Sequence, residues 1–544
     1  MSEISESEFH SVKLLPSPFT NFNILPQNSD ELDSLPSRFS KSVDFKLTIG
    51  DKTHFKRFVY VSIFILVFVP ALILLLLFLT HKKQSDDEPP KNLTLALNQA
   101  LLFFDAQKSG YLPENYSIAF RGNSGLNDGK EGNVNADLVG GYYDSGNNIK
   151  FSFSTAYTVT LLSWTVIEYH QKYADIGELD HINDLIKWGS DYLLKLFIPP
   201  NSNSNSAILY SQVGGNGNGT NQENDAKCWQ KPEDMNYPRP VSVCDDTAAD
   251  LAGEIVAGMS AASLVFTKDE EYSKKLVEKA EKLFSLSTRQ SPTHKLGIYT
   301  ENDLCGGQAR DFYNSSGYID EVVWGATWLF FASGNSSYLK YATDHFFAAE
   351  EEEMVSDKGI FYWNNKLTAN AYAATASFLS KLYSDYLELL TRTSGSCSTD
   401  IFSTEMLQNF AMSQVNYILG DNPMKMSYMV GYGNHYPNHV HHRGASIPWA
   451  GEHHSCSEGN AYLKSEDRNP NNLLGAMVRG PDKNNVFLDD RAKPWLTEPS
   501  ISSNAGLVAA LIALHDPPIS DTGAHLGIDK MGIFKSIHLT STRP

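Results

Sequence analysis

Positive charge is in short supply in this chain: 44 Lys and Arg stand against 63 Asp and Glu, a formal net charge of −19 over 544 residues. Binding nucleic acid needs a basic stripe that neutralises phosphates, so that class of partner is excluded. Runs that alternate apolar with polar residues, the mark of half-buried strands, are scarce. A repeat of fixed period is absent, although paired helices alone would fit a solenoid. The Gly/Asn-rich stretch Gly214 to Gly219 lacks a strand ahead of it and a Gly-Lys-Ser/Thr behind it, so it reads as a surface loop rather than a phosphate cradle. His435, His439, His441 and His442 cluster in sequence, yet their spacing fits no single helix face. No Cys or Asp at ligand spacing accompanies them, so no metal site is expected.

What is abundant is apolar material, 42% of the chain, including 8 Trp, 26 Tyr and 29 Phe. Phe58 to Thr80 carries no charge and is long enough to span hydrocarbon. It starts too late, runs too long and lacks the small-residue site of a cleaved signal peptide. Six cations lie in residues 38–57 and three in 81–100, which places the N-terminus in the cytosol. The sequons at Asn92, Asn115, Asn218, Asn314 and Asn335 all follow this segment. So do all five cysteines, for which Cys228–Cys244 is the nearest pair, with one thiol left over. The expectation is a single-pass type II membrane protein, at the plasma membrane or in the secretory pathway, whose large domain is extracellular or lumenal.

The predicted organisation is a disordered cytosolic tail at 1–57, a signal-anchor helix at 58–80, a stem at 81–92, a folded domain at 93–516 and a C-terminal tail at 517–544. Helical periodicity appears at 93–108, 155–172, 181–196, 247–266, 270–287, 319–333, 336–350, 370–390, 402–419 and 502–515. Leu251, Ile255, Met259 and Ala262, for example, share one face. Ten such segments with no strand between them point to a single all-α domain.

The chemistry concentrates near the C-terminal end. Glu498 precedes Pro499, which pushes it toward extended geometry. Ser502, Ser503 and Asn504 supply candidate N-caps for the apolar run Leu507 to Leu514. A glutamate on a rigid turn at the mouth of a helix is well placed to act as a general acid. Asp489 lies nearby in another loop, and His441-His442-Arg443 forms a compact basic cluster. At the other end of the domain, Asp137 to Phe151 sets Tyr143, Asp144 and Asn147 among glycines ahead of a helix.

These tracts carry a resemblance. Phe120 to Gly129 and Asp137 to Phe151, with Tyr318 to Ala326, Asn416 to Pro423, Val440 to Gly444, Gly480-Pro481-Asp482 and Thr497-Glu498-Pro499, resemble in order the signatures of glycoside hydrolase family nine. That family comprises endo-β-1,4-glucanases with an (α/α)6 barrel, a double layer of twelve helices. With the tail and anchor added, the chain is most similar to plant Korrigan-type membrane-anchored endoglucanases. The resemblance implies a β-1,4-glucan (cellulose) substrate, a role in cell-wall assembly beside the cellulose-synthesising complex, and no cofactor, with a structural calcium left open.

It also implies roles. Inverting glycosidases set a protonated carboxylic acid and a carboxylate base about 6.5–9.5 Å apart, with a water between. Glu498 matches the general acid, Asp489 an acidic residue near it, and His441 and Arg443 match positions that hold the sugar and shape the charge. Asp144 matches the first aspartate of an Asp-x-Gly-Asp base motif. Tyr143 and Asn147 in the same loop, and Trp324 one helical turn from Trp328, are further expected sugar contacts, a core position being the competing reading for Trp324. Two departures stand out: Phe120 where the family often has Trp, and Asn147 where it has the base aspartate. An amide positions water but cannot accept its proton at neutral pH, and losing a general base typically costs about 10²- to 10⁴-fold in rate. Either Asp144 takes over, or the protein is a glucan-binding scaffold with weak or absent catalysis.

Overall fold

The computed structural model describes residues 52–58, 60–64, 91–130, 134–200, 207–216, 223–289, 294–352, 366, 373–397, 400–449 and 451–516. Residues 52–58 and 60–64 are helical, and among the described residues no helix is long and apolar enough to cross a membrane. The predicted cytosolic tail up to residue 51, residues 65–80 of the predicted span, residues 81–90 of the stem, the sequon at Asn218 and the tail from 517 lie outside the described residues.

Every predicted helix of the main domain is present. They are α1 (Leu93–Gln107), α2 (Ser152–Asp175), α3 (Leu179–Leu196), α4 (Ala249–Val265), α5 (Glu270–Ser287), α6 (Ile319–Ser333), α7 (Ser336–Glu352), α8 (Ala373–Leu389) and α9 (Thr404–Ile418). After a short α10 (Cys456–Lys464), α11 (Ile501–Leu514) closes the series. Their burial divides them into two kinds. Helices α2, α4 and α11 are buried on nearly every side, as expected of helices that are apolar or small all round. In α5 the buried positions Leu276, Ala280, Leu283 and Phe284 form one stripe, with lysines and glutamates filling the rest. Helix α4 packs on α2, α5 and α6, while α11 packs on α1, α2 and α8. Where α4 meets α6 the backbones nearly touch: a Cβ on Gly253 would lie 2.4 Å from the carbonyl oxygen of Glu321. Only glycine permits that approach.

The domain is predominantly helical but not without strands. A small antiparallel sheet joins β1 (Lys150–Phe151), β2 (Phe197–Ile198), β3 (Ile208–Val213) and β4 (Val241–Cys244), with β3 paired to all three others. A separate hairpin pairs β5 (Ser394–Cys397) with β6 (Asp400–Ser403). The expectation of no strands between the helices is therefore corrected. Five consecutive residues of β3 are buried, so the strand shows no period of two. The sheet matters to the site, because β1 anchors the end of the loop that carries Asp144.

Two other expectations change. The disulfides are Cys228–Cys456 and Cys244–Cys305, with Cα separations of 4.8 and 4.5 Å, and not Cys228–Cys244. Nearness in sequence gave the wrong pair because the fold brings residues 228 positions apart together. Helix α11 is capped by Ser500, whose side chain accepts from the Ser503 N–H, rather than by Ser502, Ser503 or Asn504. The four described sequon asparagines, Asn92, Asn115, Asn314 and Asn335, are all exposed.

Candidate active site

Backbone hydrogen bonds stitch three distant stretches of chain into one site. Arg443 N–H donates to the Gly146 carbonyl at 3.0 Å, His441 N–H to Thr497 at 3.2 Å, and Ile501 N–H to Asp144 at 2.9 Å. Glycine at 146 is obligatory, since a Cβ there would sit 1.7 Å from the His441 carbonyl oxygen. Glu498 has φ −87° and ψ 123°, the extended geometry expected before Pro499.

Glu498 and Asp144 open onto one cavity of about 460 Å³, and they carry the only two carboxyl groups among its lining residues. Asn147, Tyr313 and Arg479 also line it, with Phe151, Tyr157 and Tyr417 among its aromatic walls. Ser145 Oγ donates to Glu498 Oε1 at 2.9 Å, and Gly146 N–H donates to the same oxygen at 3.2 Å. The other oxygen, Oε2, lies 3.9 Å from the Arg479 guanidinium. Burial raises the Glu498 pKa above the usual glutamate value, although the charges of Arg479 and Arg443 and the bonds from Ser145 and Gly146 oppose the rise.

Asp144 is buried and accepts from two hydroxyls. Tyr313 Oη lies 2.8 Å from its Oδ1 and 2.7 Å from its Oδ2, and Ser154 Oγ donates to Oδ1. Burial pushes its pKa up to about 6, the Ser154 and Tyr313 hydroxyls pull it down, and the Glu498 charge adds to the rise. Above that pH Asp144 is an anion, while burial helps its neighbour to keep a proton. Two buried carboxyls facing one cavity, both held above the usual carboxylate range, can serve as an acid–base pair.

The other expected site residues fall elsewhere. His441 borders the site: its Nδ1–H donates to the Arg491 carbonyl at 2.6 Å, its ring meets Trp229 edge-on at 4.6 Å, and burial holds it neutral with a pKa of about 4. Arg443 is buried over the Trp229 ring and pairs with Asp225, 3.7 Å from Oδ1. Its charge reaches Glu498 without lining the cavity.

Three of the expected residues lie away from the cavity. Asp489 is outside the cavity lining; its carboxylate accepts the backbone N–H groups of Asn438 and His439, at 2.8 and 2.9 Å, and so clamps that loop. Tyr143 is fully buried between the guanidinium groups of Arg121 and Arg239, which lie 5.7 and 5.8 Å from its ring. In an extended loop adjacent side chains point opposite ways, so Asp144 in the cavity sends Tyr143 into the core. Trp324 packs edge-on against Trp164 and Trp328, at 5.9 and 5.6 Å, and does not line the cavity.

Sequence reasoning missed Ser145, Ser154, Tyr313 and Arg479. Arg479 adjoins the quoted Gly480-Pro481-Asp482 and could have been found; Tyr313 carried no signal. The four histidines take separate partners, the Lys425 carbonyl for His435, Asp489 for His439 and Gln107 for His442. Glu223, Cys228 and Cys456 bring ligand-type atoms within 4.8 Å of one another. The two sulfurs are bonded to each other, however, and a disulfide offers no thiolate to a metal.

Two buried carboxyls facing one cavity are the equipment of a glycoside hydrolase. The chain belongs to Glycosyl hydrolase family 9, whose profile matches residues 94–370 and 348–511. It is 41% identical over 517 residues to Endoglucanase 25 of Arabidopsis thaliana, covering 82% of this chain and 81% of that protein. Endoglucanase 12 of Oryza sativa subsp. japonica is likewise 41% identical, over 87% of this chain and 84% of the relative. Among solved structures, the endoglucanase of the termite Nasutitermes takasagoensis superposes with a TM-score of 0.63 at 31% identity, covering 78% of this chain and 99% of that one. The cellulase Cel9M of C. cellulolyticum in complex with cellobiose gives a TM-score of 0.63 at 27% identity, over 78% of this chain and 98% of that one.

Proposed function

We propose that this protein is an endo-β-1,4-glucanase that hydrolyses internal bonds of cellulose-type glucan with inversion. The observation that carries the reading is the convergence of Glu498 and Asp144 on one cavity, in a chain whose relatives are endoglucanases. Glu498 protonates the departing glycosidic oxygen. Asp144 takes the proton of the attacking water, the role that the amide of Asn147 cannot fill. The aromatic walls give the sugar rings apolar faces to stack on. Two carboxyls and water complete the reaction, so no cofactor enters it. The rival reading, a silent glucan-binding scaffold, rested on Asn147 alone and is not favoured beside these relatives and an ionisable Asp144.

The wider setting belongs to the same proposal. The helices form an (α/α)6 barrel, a reading supported by the alternation of fully buried with amphipathic helices. An anchor at 58–80 holds the domain outside the cytosol, as the charge asymmetry and the one-sided sequons support. There it works in cell-wall assembly beside the cellulose-synthesising complex. The deciding experiment combines reducing-end release and viscosity loss on carboxymethylcellulose with NMR of the first-formed anomer. Rapid viscosity loss with an α-anomeric product is expected; a β-anomeric product would overturn inversion, and an inert protein would overturn the enzyme reading.

A further inference from the structure

The loop between Asp144 and Ile149 carries a chain of hydrogen bonds whose direction is fixed at every link. Ile149 N–H can only donate, and it meets Asn147 Oδ1 at 2.9 Å. The Asn147 amide nitrogen must therefore face the other way, toward Ser145 Oγ at 3.0 Å. Because an amide N–H donates, Ser145 Oγ accepts from Asn147 and keeps its single hydrogen for Glu498 Oε1, 2.9 Å away. Gly146 N–H supplies a second donor to that oxygen. Oε1 is thus occupied by donors, and a proton on Glu498 has to reside on Oε2, the oxygen beside Arg479.

We propose that Ser145 and Asn147 form a relay that positions the proton of the general acid, with Asn147 acting on Glu498 through Ser145 rather than as a degenerate base. This inference rests on the reading of Glu498 as the acid. As the Oε2 proton passes to the departing oxygen, Glu498 becomes a carboxylate, and the Ser145 hydroxyl and Gly146 N–H meet the new charge at Oε1. No proton moves along the relay itself. The charged groups that bear on Glu498 alongside it are Asp144, Arg443 and Arg479. An aspartate at 147 would compete with Glu498 for the one hydroxyl hydrogen of Ser145, which is a physical reason for an amide here.

The test uses the full-length protein and the pH dependence of kcat on carboxymethylcellulose. Removing a donor from the anionic form raises the pKa of the acid. Ser145→Ala should therefore move the alkaline limb upward by about one pH unit and lower kcat roughly 10-fold, with KM little changed. Asn147→Ala should do the same, and the double variant should be no worse than Ser145→Ala alone, because Asn147 has no separate route to Glu498. Ser145→Thr, which keeps the hydroxyl, should restore the profile. Ser145→Ala leaves the Ile149–Asn147 bond intact, so it tests the relay even if Asn147→Ala loosens the loop. Additive losses in the double variant would overturn the proposal, as would an unmoved alkaline limb in Ser145→Ala. A gain of more than about 10-fold in Asn147→Asp, the scale of a restored general base, would also overturn it. Glu498→Gln serves as the separate control: if it stays active, the acid assignment has failed; if it is inert while the limbs stay put, only the relay has.

Discussion

The Tyr313 hydroxyl bridges both oxygens of Asp144, at 2.8 and 2.7 Å, across 169 residues of sequence. This donor holds the carboxylate in place and opposes the burial that lifts its pKa to about 6. Removing it with Tyr313→Phe destabilises the anion, so the pKa climbs further. The acidic limb of kcat/KM should move to higher pH, with a loss of roughly 10-fold at pH 6. An unmoved limb would show that Asp144 is not the group titrating there.

Glu498 and Asp144 should separate cleanly by leaving group. Glu498→Gln and Asp144→Asn are each expected to lower kcat on carboxymethylcellulose by about 10²- to 10⁴-fold. An aryl cellobioside with a strongly acidic phenol departs without protonation, so it should spare Glu498→Gln and not Asp144→Asn. Equal losses on both substrates in both variants would refute the division of roles.

Gly146→Ala should be among the most damaging single changes in the domain. The added methyl would overlap the His441 carbonyl, 1.7 Å away, at the point where Arg443 N–H also binds Gly146. Displacing that backbone costs at least about 3–4 kcal/mol, in the range of severe core lesions. A melting temperature within a degree or two of wild type would contradict the packing described.

Acid lability has an identifiable contributor in His442. Its Nδ1 accepts from Ala445 N–H and its Nε2–H donates to Gln107, so the buried ring is neutral, with its pKa pushed down to about 3 chiefly by burial. The unfolded chain binds the same proton near pH 6.5, about the ordinary value. Between those two values the unfolded state takes up a proton that the native state refuses. Stability from this residue is therefore complete above about pH 6.5 and falls by about 1.4 kcal/mol per pH unit toward pH 3. His442→Gln should flatten the decline in melting temperature between pH 6.5 and 4; a slope equal to wild type would remove His442 from the account.

The ten long helices were legible because each leaves a period in the chain. Helices α5 and α6 begin and end where the pattern said they would, and Glu498 was singled out by the proline beside it. Strand β3 escaped because burial on both faces erases alternation. Asp489 precedes Glu498 in a neighbouring loop, and only the structure shows its oxygens turned to the Asn438 and His439 N–H groups. The sequence marks Asn147 only by the acid it lacks, and only the structure places its amide between Ile149 N–H and Ser145 Oγ.

The sequence by itself determined the helices, the membership of a hydrolase family and the extended turn that carries Glu498, because period, cap and turn chemistry act over a few residues. Only the tertiary structure decided that Tyr313 would steady Asp144, that Cys228 would bond Cys456, and that Trp324 would face other tryptophans. Those outcomes depend on which way a side chain points once segments hundreds of residues apart have packed, and no local pattern of residues encodes that direction.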